Sequence, residues 1–371
     1  LSKSVRVARN IATTFISQVV SWALTFAVIL VLPHYAGVAG YGKLALAASY
    51  AGIFGLISAV GTSTVMIRDI PREPESAGRL VIGSLLVRIP LALVAIVIAE
   101  IIGRWAGYDH DTLLFIAINL GIGMIGIVTD TLGSAFRGLE SFAAVNIGTV
   151  IDKAVGSAMT ILVCLLKWPL WVIVATPLLS ACFSTVYLIK RVSSLKLDWK
   201  FPDLAFIKSL ALAGLPFLSA GIFVTIYGRT DALFLAKLST ISSIGWYALG
   251  NRLAGTAMSL PAVVCAAMLP TLSALFRENK TAFADATSRL TNLMVISCIP
   301  ISAVMICSPH PLVVLLSHGT PSFYPADNVV RINGFNILFW YVSQAVFTGI
   351  IACDQQKVIA SSMGIAALVG V

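Results

Sequence analysis

LVIGSLLVRIPLALVAIVIAEII, residues 80–102, decides the class of fold. Only Arg88 and Glu100 in it carry charge. At a rise of about 1.5 Å per residue, a helix of this length runs roughly 35 Å and crosses the roughly 30 Å hydrocarbon core of a bilayer. The apolar residues run continuously, without the alternation of a barrel strand. Similar runs recur in both directions. The sequence predicts eleven spans, at about 10–32, 44–66, 80–102, 113–136, 142–165, 170–188, 215–236, 243–269, 290–307, 329–351 and 358 onward. The last is expected to be incomplete, because the sequence stops inside an apolar run. The expected fold class is all-α, a polytopic membrane protein.

Composition agrees. Hydrophobic residues make up 58% of the 371, charged residues 11%, and mean hydropathy is +0.95. A soluble domain carries about 25% charged residues, and its folded surface shrinks too slowly with size to hide this much apolar area. The formal charge of +9 does not indicate nucleic acid, because the basic residues sit in short loops between apolar runs, where they set orientation. The six cysteines fall inside apolar segments with no C-x-x-C spacing and read as small hydrophobes. The first apolar run reads as a full span without a small-residue cleavage site.

The loops separate by charge. Sixteen basic residues lie on one side, among them Arg68, Arg72, Arg79, Lys190, Arg191 and Arg277; five lie on the other, Lys43, Arg104, Lys167, Lys237 and Arg331. That bias predicts a cytoplasmic N-terminus. All four histidines, His34, His110, His310 and His318, fall in the opposite loops. The longest inner connection, Lys190–Lys208, carries five basic residues and follows the sixth span. It divides the expected chain into an N-terminal lobe, 1–190, with six helices, a basic cytoplasmic linker, 191–210, and a C-terminal lobe, 211–371, with five. A weak repeat supports the cut: GKLALAASYAG at 42–52 aligns without gaps on GWYALGNRLAG at 245–255, each opening the second helix of its half. Parallel repeats of this kind are a known transporter plan, with the site at the repeat interface.

Ionisable groups at bilayer depth are expensive and by default mark a pathway. Arg88 lies in the third span, Asp130 toward the cytoplasmic end of the fourth, Asp152 and Lys153 in the fifth, Arg229 and Asp231 in the seventh, and Arg252, after Asn251, in the eighth. The first span offers a polar face that includes Gln18. Each has a structural alternative. Arg88 can snorkel to headgroups; Asp130 can pair with Arg137 or cap the chain end. Asp152 can pair with Lys153, although neighbours on a helix diverge by about 100°, so one of them needs a partner elsewhere. Arg229, Asp231 and Arg252 can be interhelix glue; Asp231 is expected to reach Arg252, or failing that Arg229, and this cluster to face the cleft between lobes. Asp130 and Asp152 serve coupling or structure. Deep base exceeds deep acid, which favours an anionic substrate: guanidinium donors match phosphate oxygens in pairs. Pro261 interrupts the eighth span and is the expected hinge. There is no G-x-S-x-G, no carboxylate pair on one helix face and no phosphate-binding G-x-x-x-x-G-K-[ST]. The reading is therefore a transporter and not an enzyme, without cofactor or metal.

Ala213-Gly-Leu-Pro-Phe217, Ile226-Tyr-Gly-Arg-Thr-Asp231, Ile244-Gly-Trp-Tyr247, Asn251-Arg-Leu253, Pro261 and Leu269-Pro-Thr-Leu-Ser273, with Tyr41-Gly42, Gly61 and Arg68-Asp-Ile70 earlier, resemble polysaccharide-biosynthesis flippases. These are members of the multidrug, oligosaccharidyl-lipid and polysaccharide exporter superfamily. The resemblance implies a V-shaped transporter of two helical lobes in the bacterial inner membrane. It would move an undecaprenyl-pyrophosphate-linked oligosaccharide to the periplasmic leaflet by alternating access, for O-antigen, capsule or exopolysaccharide assembly. It also implies the lipid bilayer and, in the same pathway, a polymerase and glycosyltransferases as partners. Peptidoglycan-precursor flippases carry an Arg-Leu pair similar to Arg252-Leu253, with the arginine facing a cationic cavity. The family has twelve or fourteen spans. The rival readings are a cation-coupled multidrug antiporter of the same superfamily, whose mark is a dominant acidic cluster, and a membrane glycosyltransferase or polymerase, which needs a large outer loop with paired acids.

Overall fold

The computed structural model describes residues 3–193, 198–353 and 355; side chains at 3–12, 219–221, 223–233, 236, 263, 266–267 and 270 lie outside the description. Every regular element among the described residues is helical. Helix α1 (Lys3–Ala59) contains the first two expected spans, which are broken at Gly37 (φ 65°, ψ 172°). This backbone geometry is open to glycine and costly for residues with a Cβ. The second span stops before its expected end at Met66: Val60 and Gly61 take positive φ, and a separate short helix, α2 (Thr62–Asp69), follows.

The third to sixth spans appear as α3 (Ala77–Trp105), α4 (His110–Gly138), α5 (Phe142–Leu165) and α6 (Leu170–Ser193). Helix α7 (Leu204–Leu238) begins earlier than expected and carries Pro216 inside. The expected eighth span is two helices, α8 (Ile241–Met258) and α9 (Leu260–Glu278). Pro261 stands in the first turn of α9, and its missing N–H interrupts the backbone ladder between α8 and α9. Then come α10 (Lys280–Cys307), α11 (Pro309–Ser317) and α12 (Ala326–Ala352). The expected eleventh span lies outside the described residues. Among the described residues seven helices, not eleven, are long and apolar enough to cross a membrane; α1 is one of them and covers two expected spans. Large apolar side chains face outward on them, such as Ile101, Leu165, Ile296 and Phe339, as contact with lipid requires.

The helices form two compact units. The first comprises Leu1–Val28 and Lys43–Leu238, the second Ile29–Gly42 and Ser239–Val371. In the first, α4 packs on α2, α3 and α6, and α7 docks on α2 and α3. Val65, Met66, Leu80, Leu132, Phe136 and Leu188 form its core. In the second, α12 lies against α8, α9 and α10, over a core that includes Leu249, Met294, Phe323, Ile337 and Tyr341. The two glycines that open the sequence repeat meet inside this second unit. A Cβ on Gly42 would lie 2.1 Å from the Ile241 carbonyl oxygen, and one on Gly245 would lie 2.3 Å from that of Val38. Only glycine permits backbones this close.

Candidate functional site

In the first unit the deep charges find partners. The Arg88 side chain is only 7% exposed. Its Nη1 donates to Asp130 Oδ2 at 2.9 Å, Ser63 Oγ at 3.0 Å and Thr131 Oγ1 at 3.1 Å, and its Nε donates to the Ser58 carbonyl at 3.2 Å. The Ser63 hydroxyl donates to the same Asp130 oxygen at 2.6 Å. Asp130 therefore answers Arg88, forty-two positions away, in place of Arg137. A charge taken out of water needs a counter-charge and satisfied donors, and this network supplies both. Ser63 and Thr131 stay unnoticed in the sequence because hydroxyls are common in such helices.

Asp152 keeps Lys153 as a local ion-pair partner and also finds a hydrogen-bond partner on the neighbouring helix. Asp152 Oδ1 accepts from Ser180 Oγ of α6 at 2.7 Å, while its other oxygen is 3.8 Å from Lys153 Nζ. Lys153 is half exposed. Gln18 is exposed on α1.

At the loop end of the same unit, Lys43 pairs with Asp109, which also accepts from Thr112. Burial pushes the Asp109 carboxyl up, but the Lys43 and Thr112 hydrogen bonds outweigh it and hold the group below its ordinary range. At Asp69 the Arg68 guanidinium, bound through Nε at 2.6 Å and Nη2 at 2.8 Å, likewise keeps the carboxylate low.

The second unit holds a different arrangement. Asn251 accepts from Asn333 Nδ2 of α12 at 2.9 Å, so it ties α8 to α12. Arg252, the next residue, is exposed, and its side chain makes no hydrogen bond or ion pair among the described residues. It lies within electrostatic reach of the Tyr41 phenol. Its Cα stands eleven residues into α8, roughly 16 Å along the axis.

Pro261 removes the N–H that would bond to the Ala257 carbonyl. Tyr341 Oη donates to that carbonyl at 2.8 Å, and Trp340 Nε1 to the Met258 carbonyl at 3.0 Å. The break between α8 and α9 is thus pinned to α12, an arrangement that nothing in the local sequence announces. The side chains of Arg229 and Asp231, and with them the expected contact of Asp231 with Arg252, lie outside the described residues. The described histidine, cysteine and acidic residues form no group of three placed to hold a metal.

A family model described as polysaccharide biosynthesis protein matches residues 36–318. No curated protein matches the chain. Among solved structures, the lipid II flippase MurJ in an inward closed conformation superposes with a TM-score of 0.75 at 14% identity, covering 96% of this chain and 79% of that one. An inward-facing multidrug resistance MATE family transporter of the MOP superfamily gives 0.73 at 14%, covering 94% and 84%. A MATE in complex with MaL6 gives 0.62 at 15%, covering 98% and 85%. At such identities the likeness speaks to fold, which is that of a polytopic all-helical membrane transporter.

Proposed function

The chain belongs to the polysaccharide biosynthesis protein family, and on that footing we propose that it is a flippase for an undecaprenyl-pyrophosphate-linked oligosaccharide. In this reading it carries the substrate from the cytoplasmic to the periplasmic leaflet of the bacterial inner membrane by alternating access, with its N-terminus in the cytoplasm. The lobes are 1–190 and 211–371, joined by the basic stretch between them.

One observation carries the choice of substrate charge. Of the deep charges whose side chains are described, Arg88 is matched by Asp130 and Lys153 lies near Asp152, whereas Arg252 has no partner among the described residues. In this reading α8 enters the bilayer, where an uncompensated guanidinium is costly unless it meets water or an anion, and its forked donors suit a pyrophosphate. Arg229, Asp231, Lys153 and Gln18 are further proposed substrate contacts, Asn251 orients α8, and Pro261 is the proposed hinge at the break between α8 and α9. The multidrug antiporter reading needs a carboxylate free to exchange cations; Asp130 and Asp152 are both engaged.

The test is export. Arg252→Ala should lower surface polysaccharide at least tenfold at unchanged protein level, and Arg252→Lys should restore part of it. Normal export by Arg252→Ala would refute the assignment.

A further inference from the structure

Two of the four histidines meet in the second unit. His34 follows Pro33 in α1, and His318 closes α11. Their ring centres stand 5.3 Å apart, with the planes tilted by 38°. Both residues are exposed. Each ring is held by the other's element: His34 Nδ1 lies 3.1 Å from Thr320 Oγ1, just past α11, and His318 Nε2 lies 2.7 Å from the Leu30 carbonyl of α1. His318 takes φ 50°, ψ 41°, a left-handed conformation that helix ends usually give to glycine. Its backbone is thus strained where its ring is placed.

The hydrogen bonds fix which nitrogen of each ring carries hydrogen. Thr320 spends its hydroxyl hydrogen on the Ser317 carbonyl at 2.6 Å, so toward His34 it accepts and Nδ1 donates. The Leu30 carbonyl can only accept, so His318 donates through Nε2. A neutral imidazole has one donor and one acceptor nitrogen, which leaves lone pairs on His34 Nε2 and His318 Nδ1. Neither of these nitrogens has a hydrogen-bond partner among the described residues. Metal-binding histidines share this arrangement: the far ring N–H donates to a carbonyl or similar acceptor, which fixes the tautomer and orients the ring. Imidazole suits zinc, copper and nickel, whereas magnesium and calcium take oxygen ligands.

We propose that His34 and His318 form a site for Zn²⁺ or a neighbouring late divalent transition cation, bound through His34 Nε2 and His318 Nδ1 with water completing the shell. The spacing agrees. At about 2.1 Å to each nitrogen and an angle of about 109° at the metal, two imidazole ring centres stand roughly 5.3 Å apart. The reciprocal bonds to Thr320 and Leu30 already hold both rings, so little ordering is lost on binding. The ion ties the α1 segment at His34 to the turn after α11. With two protein ligands it is exchangeable, unlike the ion of a closed four-ligand structural site. The proposal uses residues of the second unit alone and does not depend on the flippase reading.

The experiment titrates ZnCl₂ and MgCl₂ by calorimetry into the purified full chain, free of any polyhistidine tag. Zn²⁺ should show a saturable one-to-one component that Mg²⁺ lacks. His34→Asn and His318→Gly should each weaken that component at least tenfold. Glycine suits the left-handed backbone at 318, so this variant should stay folded, and either variant suffices if the other does not. His110→Asn, in the first unit, should leave the component unchanged. Zinc-edge X-ray absorption of the one-to-one complex should show imidazole nitrogen at about 2.0–2.1 Å. Absence of the one-to-one component, equal binding of Mg²⁺, an unchanged component in a folded His34 or His318 variant, its loss in His110→Asn, or an absorption spectrum without imidazole would each overturn the proposal.

Discussion

Deleting the two partners of the Arg88–Asp130 pair should have unequal costs. Which charge is left behind decides the order. The Arg88 side chain is 7% exposed and that of Asp130 is 42% exposed. Asp130→Ala strands a cation where water barely reaches, and removing one member of a buried pair costs about 3–5 kcal/mol. Arg88→Met leaves a carboxylate that already touches solvent and keeps the Ser63 hydroxyl at 2.6 Å. Its cost is about 1 kcal/mol for a partly exposed pair, plus about 1 kcal/mol for leaving the Ser58 carbonyl and Thr131 hydroxyl short of a donor. The totals are therefore about 4 and about 2 kcal/mol. In a unit of this size each kcal/mol moves the melting temperature by roughly 2–4 °C. Heating detergent-purified protein and measuring the monodisperse fraction by size-exclusion chromatography reads the shifts. Asp130→Ala should fall roughly twice as far as Arg88→Met, and the double variant should fall less than the sum of the two. A larger fall for Arg88→Met, or additive singles, would refute the argument that burial of the guanidinium sets the energy.

Tyr341→Phe should destabilise by about 1–3 kcal/mol by orphaning the Ala257 carbonyl. In a Pro261→Ala background, where the backbone N–H returns, the same change should cost less; a thermal-melt double-mutant cycle checks the coupling. Gly42→Ala should lower folded yield, because its Cβ would overlap the Ile241 carbonyl oxygen, whereas Gly255→Ala, with nothing within 4 Å, should not; fluorescence-detected chromatography compares the two. The Asp109 carboxyl is held low, so its contact with Lys43 is fully present above the ordinary carboxylate value of about 3.9 and is lost only as pH falls through the lower folded value. In a carboxyl infrared titration Asp109→Asn should remove an acid-shifted group and leave that of Asp69; loss instead of a group that titrates at or above the ordinary value would contradict it.

The spans were legible because bilayer thickness is a one-dimensional rule: 80–102 reads as a crossing from its length and its two charges alone, and α3 through α6 appear where their apolar runs predict. The helices that carry Arg88, Asp130, Asp152 and Lys153 were legible for the same reason, since α3, α4 and α5 are long and apolar. Local backbone breaks were half legible. Pro261 announced an interruption, but not that the eighth span becomes α8 and α9, nor that α1 joins its two expected spans across Gly37.

The local pair of Asp152 with Lys153 was legible and stands at 3.8 Å; partnership across helices was not. Asp130 has Arg137 two turns away on its own helix, yet it binds Arg88, because the packing of α3 on α4 brings that guanidinium to the carboxylate and to Ser63 together. The Ala257 carbonyl freed by Pro261 is taken by Tyr341, eighty-four positions later. By itself the sequence determined the all-helical, multi-spanning class and the places of α3 through α6, since both follow from the cost of exposing each residue to lipid. Only the tertiary structure decided which of those charges neutralise one another and which remain available, because a buried ion pair depends on side-chain geometry across helices, and no spacing along the chain encodes it.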